Sequence, residues 1–396
     1  MSIRRLIVIL LAAAVLLELV LSARVLSAQS RPGFGEPLAD LPASLLAAFE
    51  EGRQRFAMEE TPATGLGPVF NGRSCLTCHR VPLPGGSGGS GEAFVIRFGL
   101  QAPGQPFNPL LNVGGPSLQR RSVAEDLESC QLAGEMLPHE ANAVGRRQPA
   151  PLFGLGLIQA IPESAIAARA DPDDADGDGI AGRPNVSNGV IGRFGWKAAV
   201  ATVADAVGLS LIGELGITNF LYPNELSPQG VPHASGCKIT ADIEDFDASR
   251  LAGITAFLSF MSAPPRGPIT EAVVRGETLF AQTGCSSCHT PVMKTGPNAL
   301  PGLNHVDVPL YSDLLTHDMG GALDDRIAEG AAGGERWRTA PLWGLRARQF
   351  YLHDGRTSDL TTAIALHGGE ARPSRDLFAN LSAAQRADLL AFLRSL

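Results

Sequence analysis

The sequence predicts a mainly α-helical chain built twice from one module, with long loops and an N-terminal copy enlarged by insertions. Three observations predict it. Two pentads share one spacing, Cys75-Leu76-Thr77-Cys78-His79 and Cys285-Ser286-Ser287-Cys288-His289. The same landmarks recur in the same order around each pentad. Each half opens and closes on an amphipathic helical segment. The C-x-x-C-H spacing is the attachment signature of c-type haem: two thiols one short turn apart reach both vinyl groups of a porphyrin, and the next His offers an axial nitrogen to iron. The expected fold is therefore two cytochrome c-like haem domains. A thioredoxin-like C-x-x-C would follow a strand in a βαβ unit, and neither pentad does. Paired zinc knuckles usually lie roughly 15 to 20 residues apart, whereas about 205 residues separate these two.

In chain order, Arg4 and Arg5 precede an apolar run from Leu6 to Leu17, broken by Glu18, and small residues follow at Ser27 and Ala28. This has the form of a secretory signal over residues 1–28, cleaved near Ala28, with an uncleaved anchor as the competing reading. The interrupted run does not suit a stable membrane span. Export to a bacterial periplasm fits the cysteines: four of the 6 belong to the pentads, leaving Cys130 and Cys237 as a candidate disulfide or as two separate buried thiols. The formal net charge of -8, without a basic stripe, argues against a nucleic-acid partner.

The duplication sets the domains. GRQRF at Gly52–Phe56 matches GETLF at Gly276–Phe280, each in a helix leading to a pentad. APLFGL from Ala150 matches APLWGL from Ala340, and each half ends on a helix containing Ala-Phe-Leu, at Ala256 and at Ala391. The seam is Ser262 to Pro268, SAPPRGP, whose prolines stop the preceding helix, giving domains at 29–264 and 265–396. Thr270 caps the next helix with Glu271 in its first turn, and Ser382 with Gln385 makes a capping box for the last.

Two insertions enlarge the first half. GGSGGSG from Gly85 reads as a flexible loop. Asp174, Asp176 and Asp178, at alternate positions before Gly179, form the front half of an oxygen-ligand calcium loop, although Asn185 stands where an EF-hand has its bidentate Glu. The competing reading is a solvated acidic loop.

Several long strings now carry a resemblance. They are GPVFNGRSCLTCH from Gly67, LFGLGLIQAIPE from Leu152, DADGDGIAGRPN from Asp174, GRFGWKA from Gly192, HDMG from His317, WRTAPLWGL from Trp337, LHDGR from Leu352 and ALHGGEA from Ala365. The chain resembles the di-haem oxidoreductases, also called thiol oxidoreductases, a family related to the bacterial di-haem cytochrome c peroxidases and the MauG enzymes. The resemblance implies an exported haem-dependent oxidoreductase, peroxidase-like chemistry at one open haem, and a second, low-spin haem that supplies electrons. It implies peroxide or a similar oxidant as substrate and a small redox protein or quinol-linked donor as partner. A di-haem electron carrier without catalysis and a MauG-like enzyme that oxidises a partner protein are the alternatives.

The resemblance also distributes roles. His79 and His289 are the proximal ligands. TAIALHG from Thr362 resembles the peroxidase helix that carries a sixth ligand, which places His367 there, with Met319, His317 or Met293 as fallbacks. No comparable helix follows the first hexapeptide, so the N-terminal haem is the expected open one, with Gln159 and Glu163 as its candidate catalytic groups. The family pattern has Glu at the position of Gln159, and Gln orients a ligand but does not carry a proton. His139 is a candidate sixth ligand that would close this site. Arg338 suits a haem propionate, with His353 and Arg356 beside it. Trp196 is the candidate relay between haems, with core packing as the competing role; for Trp343 core packing is preferred.

Overall fold

The computed structural model describes residues 33–89, 94–187, 189–231, 237 and 248–396. The signal-like segment lies outside the described residues. Nine α-helices are described in chain order: α1 (Ala43–Ala57), α2 (Leu155–Gln159), α3 (Glu163–Ala167), α4 (Val203–Leu215), α5 (Ala248–Phe260), α6 (Glu271–Gln282), α7 (Leu360–Ala365), α8 (Arg372–Asn380) and α9 (Ala383–Leu393). No helix among the described residues is long and apolar enough to cross a membrane.

Two helix crossings repeat one design. α1 packs on α5, and α6 on α9. At the first crossing a Cβ on Gly52 would fall well inside 3.0 Å of the Gly253 carbonyl and 2.9 Å from Phe257 Cβ; at the second, a Cβ on Gly276 would meet the Asp388 carbonyl as closely and Phe392 Cβ at 2.7 Å. Glycine is what lets one backbone lie on the other. One turn later Phe56 meets Phe257 at 5.2 Å and 57°, and Phe280 meets Phe392 at 5.1 Å and 56°. These buried rings add tilted aromatic contacts to their area burial. The recurring G-x-x-x-F is thus the crossing point and the aromatic that packs beneath it.

The caps follow the sequence. Thr270 Oγ1 accepts from the Val273 amide, and Ser382 with Gln385 forms the reciprocal capping box of α9. The mainly α expectation needs correction: the protein is mixed, 34% helical and 13% strand. Among the described residues, five two-stranded antiparallel ladders carry the strands. Most are only two or three residues a strand, too short for an alternating pattern to show in sequence. The longest pairs Val95–Gly99 with Ala143–Arg147.

Among the described residues the apolar core falls into a large cluster from Leu38 to Trp343, a smaller one from Val273 to Leu396, and a satellite of Phe98, Leu110 and Leu118. The seam at 262–268 separates the two helix pairs. It does not separate the cores, because Met293, Val308, Leu310 and Leu315 pack into the large one. Trp343 also joins it, with its ring against Gly154, whose φ of +69° would already strain any other residue. Cys130 and Cys237 form a disulfide spanning 107 positions.

The Gly85 loop is a second correction. Gly85 to Gly89 are buried, and a Cβ on Gly86 would collide with the Val81 carbonyl. The glycines serve close approach there. Ser90 and Gly91 lie outside the described residues.

Candidate functional site

Each pentad folds as a single 3₁₀ turn, Cys75–Thr77 and Cys285–Ser287, and the histidine amide then bonds back to the first cysteine carbonyl, at 3.0 Å for His79 and 2.9 Å for His289. The imidazoles are held alike. His79 Nδ1 lies 3.0 Å from the Gly86 carbonyl and His289 Nδ1 lies 3.0 Å from the Tyr311 carbonyl. A carbonyl only accepts, so Nδ1 carries the proton and Nε2 presents a lone pair. Burial lowers both histidines to about 4, against the opposing backbone hydrogen bonds, so the rings are neutral. Phe56 and Phe280 flank them at 6.3 and 6.4 Å. An oriented neutral imidazole with its second nitrogen fixed is the usual state of a metal-ligating histidine.

The thiols are also shielded. Burial pushes Cys75 and Cys78 up to about 12, with the Cys78 and Glu60 charges adding at Cys75 and the Glu214 charge adding at Cys78. Cys285 is raised by burial as well. These are poor free nucleophiles at neutral pH.

The second pentad opens on a largely apolar cavity of about 250 Å³, lined by Cys285, Cys288, His289, His367, Trp196 and Arg338 among others. His367 follows α7 and repeats the pattern: Nδ1 donates to the Ala363 carbonyl at 2.8 Å, burial lowers its pKa, and Nε2 makes no hydrogen bond. The wall also holds two guanidiniums, Arg338 and Arg348, whose buried Nε atoms have no hydrogen-bond partner. Burial lowers both, Arg338 to about 10, with mutual repulsion assisting there. Two guanidiniums without a carboxylate partner, Arg338 donating from Nη1 to the Arg193 carbonyl, stand in an apolar cavity beside two cysteines and two Nε2-presenting histidines and fit a porphyrin that brings its own carboxylates. Trp196 lies in the same wall and gives its indole N–H to the Gln148 carbonyl at 2.9 Å.

The fallback ligands fare differently. Met319 lines the cavity, whereas Met293 is buried in the large core. His317 has no free nitrogen: Nε2 faces Asp313 Oδ2 at 2.9 Å and Nδ1 faces Glu370 Oε2 at 2.7 Å. Although burial opposes it, hydrogen bonds to Asp313, Cys288 and Glu370 raise His317 to about 12, and both ring nitrogens are engaged. His353 stacks on Trp337 at 3.5 Å and 6° and is lowered to about 2 by burial and then by the charges of Arg147, Arg356 and Lys197. Arg356 is turned to Asp354 at 2.6 Å and to the Ala322 carbonyl.

The two candidate catalytic residues, expected at the first pentad rather than at this cavity, are both exposed and hydrogen-bonded to backbone amides. Gln159 is exposed and its Oε1 accepts from the Val203 amide at 2.7 Å, serving the N-terminus of α4. Glu163 is exposed in the first turn of α3 and accepts from the Ile191 amide. His139 is 98% exposed beside Glu140. In the acidic loop the carboxylates that converge are Asp171, Asp174 and Asp176; Asp178 instead bonds the Ile180 amide. Asn185 is buried and bonds the Lys197 and Glu329 carbonyls, so it closes no ligand set around that loop.

Sequence reasoning missed Glu214. It sits near the end of α4, Asn71 Nδ2 donates to its Oε2 at 2.9 Å, and burial raises it against the pull of Arg97 and Arg120. Its only signal was an acidic residue in the last turn of a largely apolar helix, where a negative charge opposes the helix dipole. Also missed was a buried ion cluster behind Trp337. Arg147 pairs with Asp325, and Lys197 Nζ donates to the carbonyls of Gly333, Gly334 and Arg336 at 2.5, 2.9 and 3.1 Å.

The sequence profile of the family described as "Di-haem oxidoreductase, putative peroxidase" matches residues 109–396, and the chain belongs to that di-haem oxidoreductase family. The family implies two haem groups. The first pentad lies ahead of the matched stretch. Among solved structures the chain is similar to hydrazine synthase of Kuenenia stuttgartiensis, with 15% identity, 93% of this chain and 97% of that one covered, and a TM-score of 0.40. It is similar to a MauG-like protein associated with microbial copper homeostasis, with 16% identity, 93% and 94% coverage and a TM-score of 0.41. It is also similar to the di-haem peroxidase BthA from Burkholderia thailandensis, with 16% identity, 88% and 86% coverage and a TM-score of 0.40. No curated protein matches the chain.

Proposed function

We propose that the protein is an exported, peroxidase-like di-haem c-type oxidoreductase whose C-terminal haem is held by His289 and His367 and transfers electrons, and whose N-terminal haem is held by His79 and is open. The observation that carries this reading is the asymmetry of histidines. Two neutral, carbonyl-oriented imidazoles line the C-terminal cavity. Among the described residues His79 has no such companion, since His139 and His305 are exposed and His317 and His353 are engaged elsewhere.

When bound, the haems supply iron that changes oxidation state and, at an open position, reduces peroxide. The chain supplies the rest. The Gly86, Tyr311 and Ala363 carbonyls fix three histidine tautomers, so Nε2 points outward without choosing between states. Cys75, Cys78, Cys285 and Cys288 hold the groups covalently. Arg338 and Arg348 supply the charge for carboxylates in the second cavity. Glu214, rather than Gln159 or Glu163, is the half-buried carboxyl of the first site: its charge reaches Cys78, and Asn71 holds Oε2 while Oε1 is left to take and return a proton. Trp196, in the cavity wall with its N–H fixed on Gln148, serves as the relay toward the first site.

Export is supported by the Arg4–Ala28 sequence and by the Cys130–Cys237 disulfide, which persists in an oxidising compartment. The donor is a small redox protein or a quinol-linked carrier. Calcium at Asp171, Asp174 and Asp176 rests only on three converging carboxylates. The test is turnover: purified protein with two covalent haems by mass spectrometry should oxidise a reduced small c-type cytochrome when peroxide is added, and Glu214→Gln should slow it at least about tenfold. Two covalent haems with no peroxide-dependent oxidation would overturn the enzyme reading.

A further inference from the structure

The motifs HDMG and ALHGGEA lie far apart in sequence and are locked together in the fold. Glu370 joins them. Its Oε2 receives His317 Nδ1–H at 2.7 Å, and its Oε1 receives the Asp318 amide at 3.0 Å and Arg336 Nη1 at 3.2 Å. The far nitrogen of His317 is closed by Asp313 Oδ2 at 2.9 Å. Arg336 also donates to the carbonyls of Ala181 and Thr316. The His317 ring is 3% exposed at its side chain, and Cys288 Sγ lies 3.7 Å from its Nδ1.

The backbones meet just as closely. A Cβ on Gly320 would be 2.8 Å from the Gly369 amide nitrogen, one on Gly368 would be 2.8 Å from the Met319 carbonyl, and one on Gly369 would overlap the Asp318 carbonyl. The segment that carries His367 is therefore pinned, three residues on, to the strand pair Thr316–Asp318 and Arg336–Arg338.

We propose that Glu370 and His317 form a latch that holds the His367 segment against the C-terminal haem cavity, so that both are positioning residues for the sixth ligand. The inference rests on the reading of His367 as that ligand. With the latch made, His367 Nε2 is presented at a fixed place and the C-terminal haem stays six-coordinate. A glutamine at 370 would present an N–H either to His317 Nδ1, ending the charge-assisted bond from the imidazolium, or to the Asp318 amide and Arg336 together, so at least one of the three charge-assisted contacts is lost. The segment then loses its anchor, and breaking a buried charge pair is costly enough to shift a local equilibrium by tenfold or more.

The test uses the full-length holo-protein and three variants. His367→Ala examines the ligand; Glu370→Gln and His317→Gln examine the latch. The readouts are the low-spin EPR signal of the C-terminal haem, its midpoint potential, and the rate of cyanide binding to it. Expected are loss of the low-spin signal in His367→Ala, and in both latch variants a mixed-spin C-terminal haem, a shifted potential and cyanide binding faster by at least about tenfold, with the N-terminal haem unchanged. If His367→Ala leaves the C-terminal haem low-spin, the ligand reading fails and the latch with it. If His367→Ala converts the haem while both latch variants keep the wild-type signal, potential and cyanide rate, the latch alone is refuted. Should Glu370→Gln not fold with both haems, Arg336→Gln, which removes one contact to Oε1, replaces it under the same criteria.

Discussion

Replacing Gly276 by Ala sets two effects of opposite sign against each other. In a helix interior Ala is favoured over Gly by about 1 kcal/mol, so an open position would gain stability. Gly276 is not open. Its Cβ would collide with the Asp388 carbonyl and stand 2.7 Å from Phe392 Cβ, where real Cβ atoms keep at least 3.0 Å. Backbone carbonyls cannot swing aside, so α6 and α9 must separate, and the Phe280–Phe392 contact at 5.1 Å loosens with them. Overpacking of this kind costs about 1 to 3 kcal/mol, and the loss of ring contact adds about 0.5 to 1.5 kcal/mol. The net is destabilising by about 0.5 to 3.5 kcal/mol after the propensity gain. Gly52→Ala meets the matching geometry at the Gly253 carbonyl and should behave alike. Gly213 in α4 is the control, since nothing lies within 4 Å of its added Cβ. Thermal unfolding of the holo-protein by circular dichroism reads all three. Gly213→Ala should rise and the other two fall; if Gly276→Ala and Gly52→Ala were as stable as Gly213→Ala, the crossing geometry and the duplication built on it would be wrong.

Three further outcomes follow from particular contacts. Exchanging Cys130 and Cys237 for Ser releases a loop spanning 107 positions and should cost about 2 to 5 kcal/mol in chemical denaturation; a change below about 1 kcal/mol would show that the bridge adds nothing. Lys197→Met leaves the carbonyls of Gly333, Gly334 and Arg336 without their donor and Asp325 with one cation fewer, for a loss of about 3 kcal/mol or more, while a stable variant with unaltered melting would contradict the buried cluster. His317, raised to about 12, contributes stability that is complete below its unfolded value of 6.5 and declines as pH rises toward 12, whereas the lowered Glu370 contributes above 4.5 and loses it as pH falls through its folded value. The melting difference between wild type and His317→Gln should therefore be largest between about pH 4.5 and 6.5 and shrink at alkaline pH; a difference that grows with pH would refute the imidazolium.

The helices and caps were legible because their signals are local. Thr270, Ser382 with Gln385, and the G-x-x-x-F repeat each act within a turn or two, and Gly52 and Gly276 could be matched by spacing alone. The pentads were legible because covalent and axial chemistry demands fixed spacing. The loops were not. Gly85 to Gly89 has the composition of a linker, yet its carbonyl at Gly86 is needed by His79, a contact that composition does not encode. Gln159 and Glu163 look catalytic from their place after the hexapeptide, but the α4 N-terminus and the Ile191 amide take their side-chain oxygens. His317 could be read as a ligand until Asp313 and Glu370, four residues before it and 53 after it, were seen on its two nitrogens. Glu214 depends on Asn71, 143 positions away, and long-range pairing of this kind leaves no periodic trace.

The central claim is one closed and one open haem, and the EPR and absorption spectra of the oxidised holo-protein during titration with hydrogen peroxide test it most directly. The account predicts one low-spin signal, abolished by His367→Ala, and one high-spin signal that alone responds to peroxide. Two low-spin haems indifferent to peroxide, in both the oxidised and the half-reduced protein, would contradict it and leave an electron carrier.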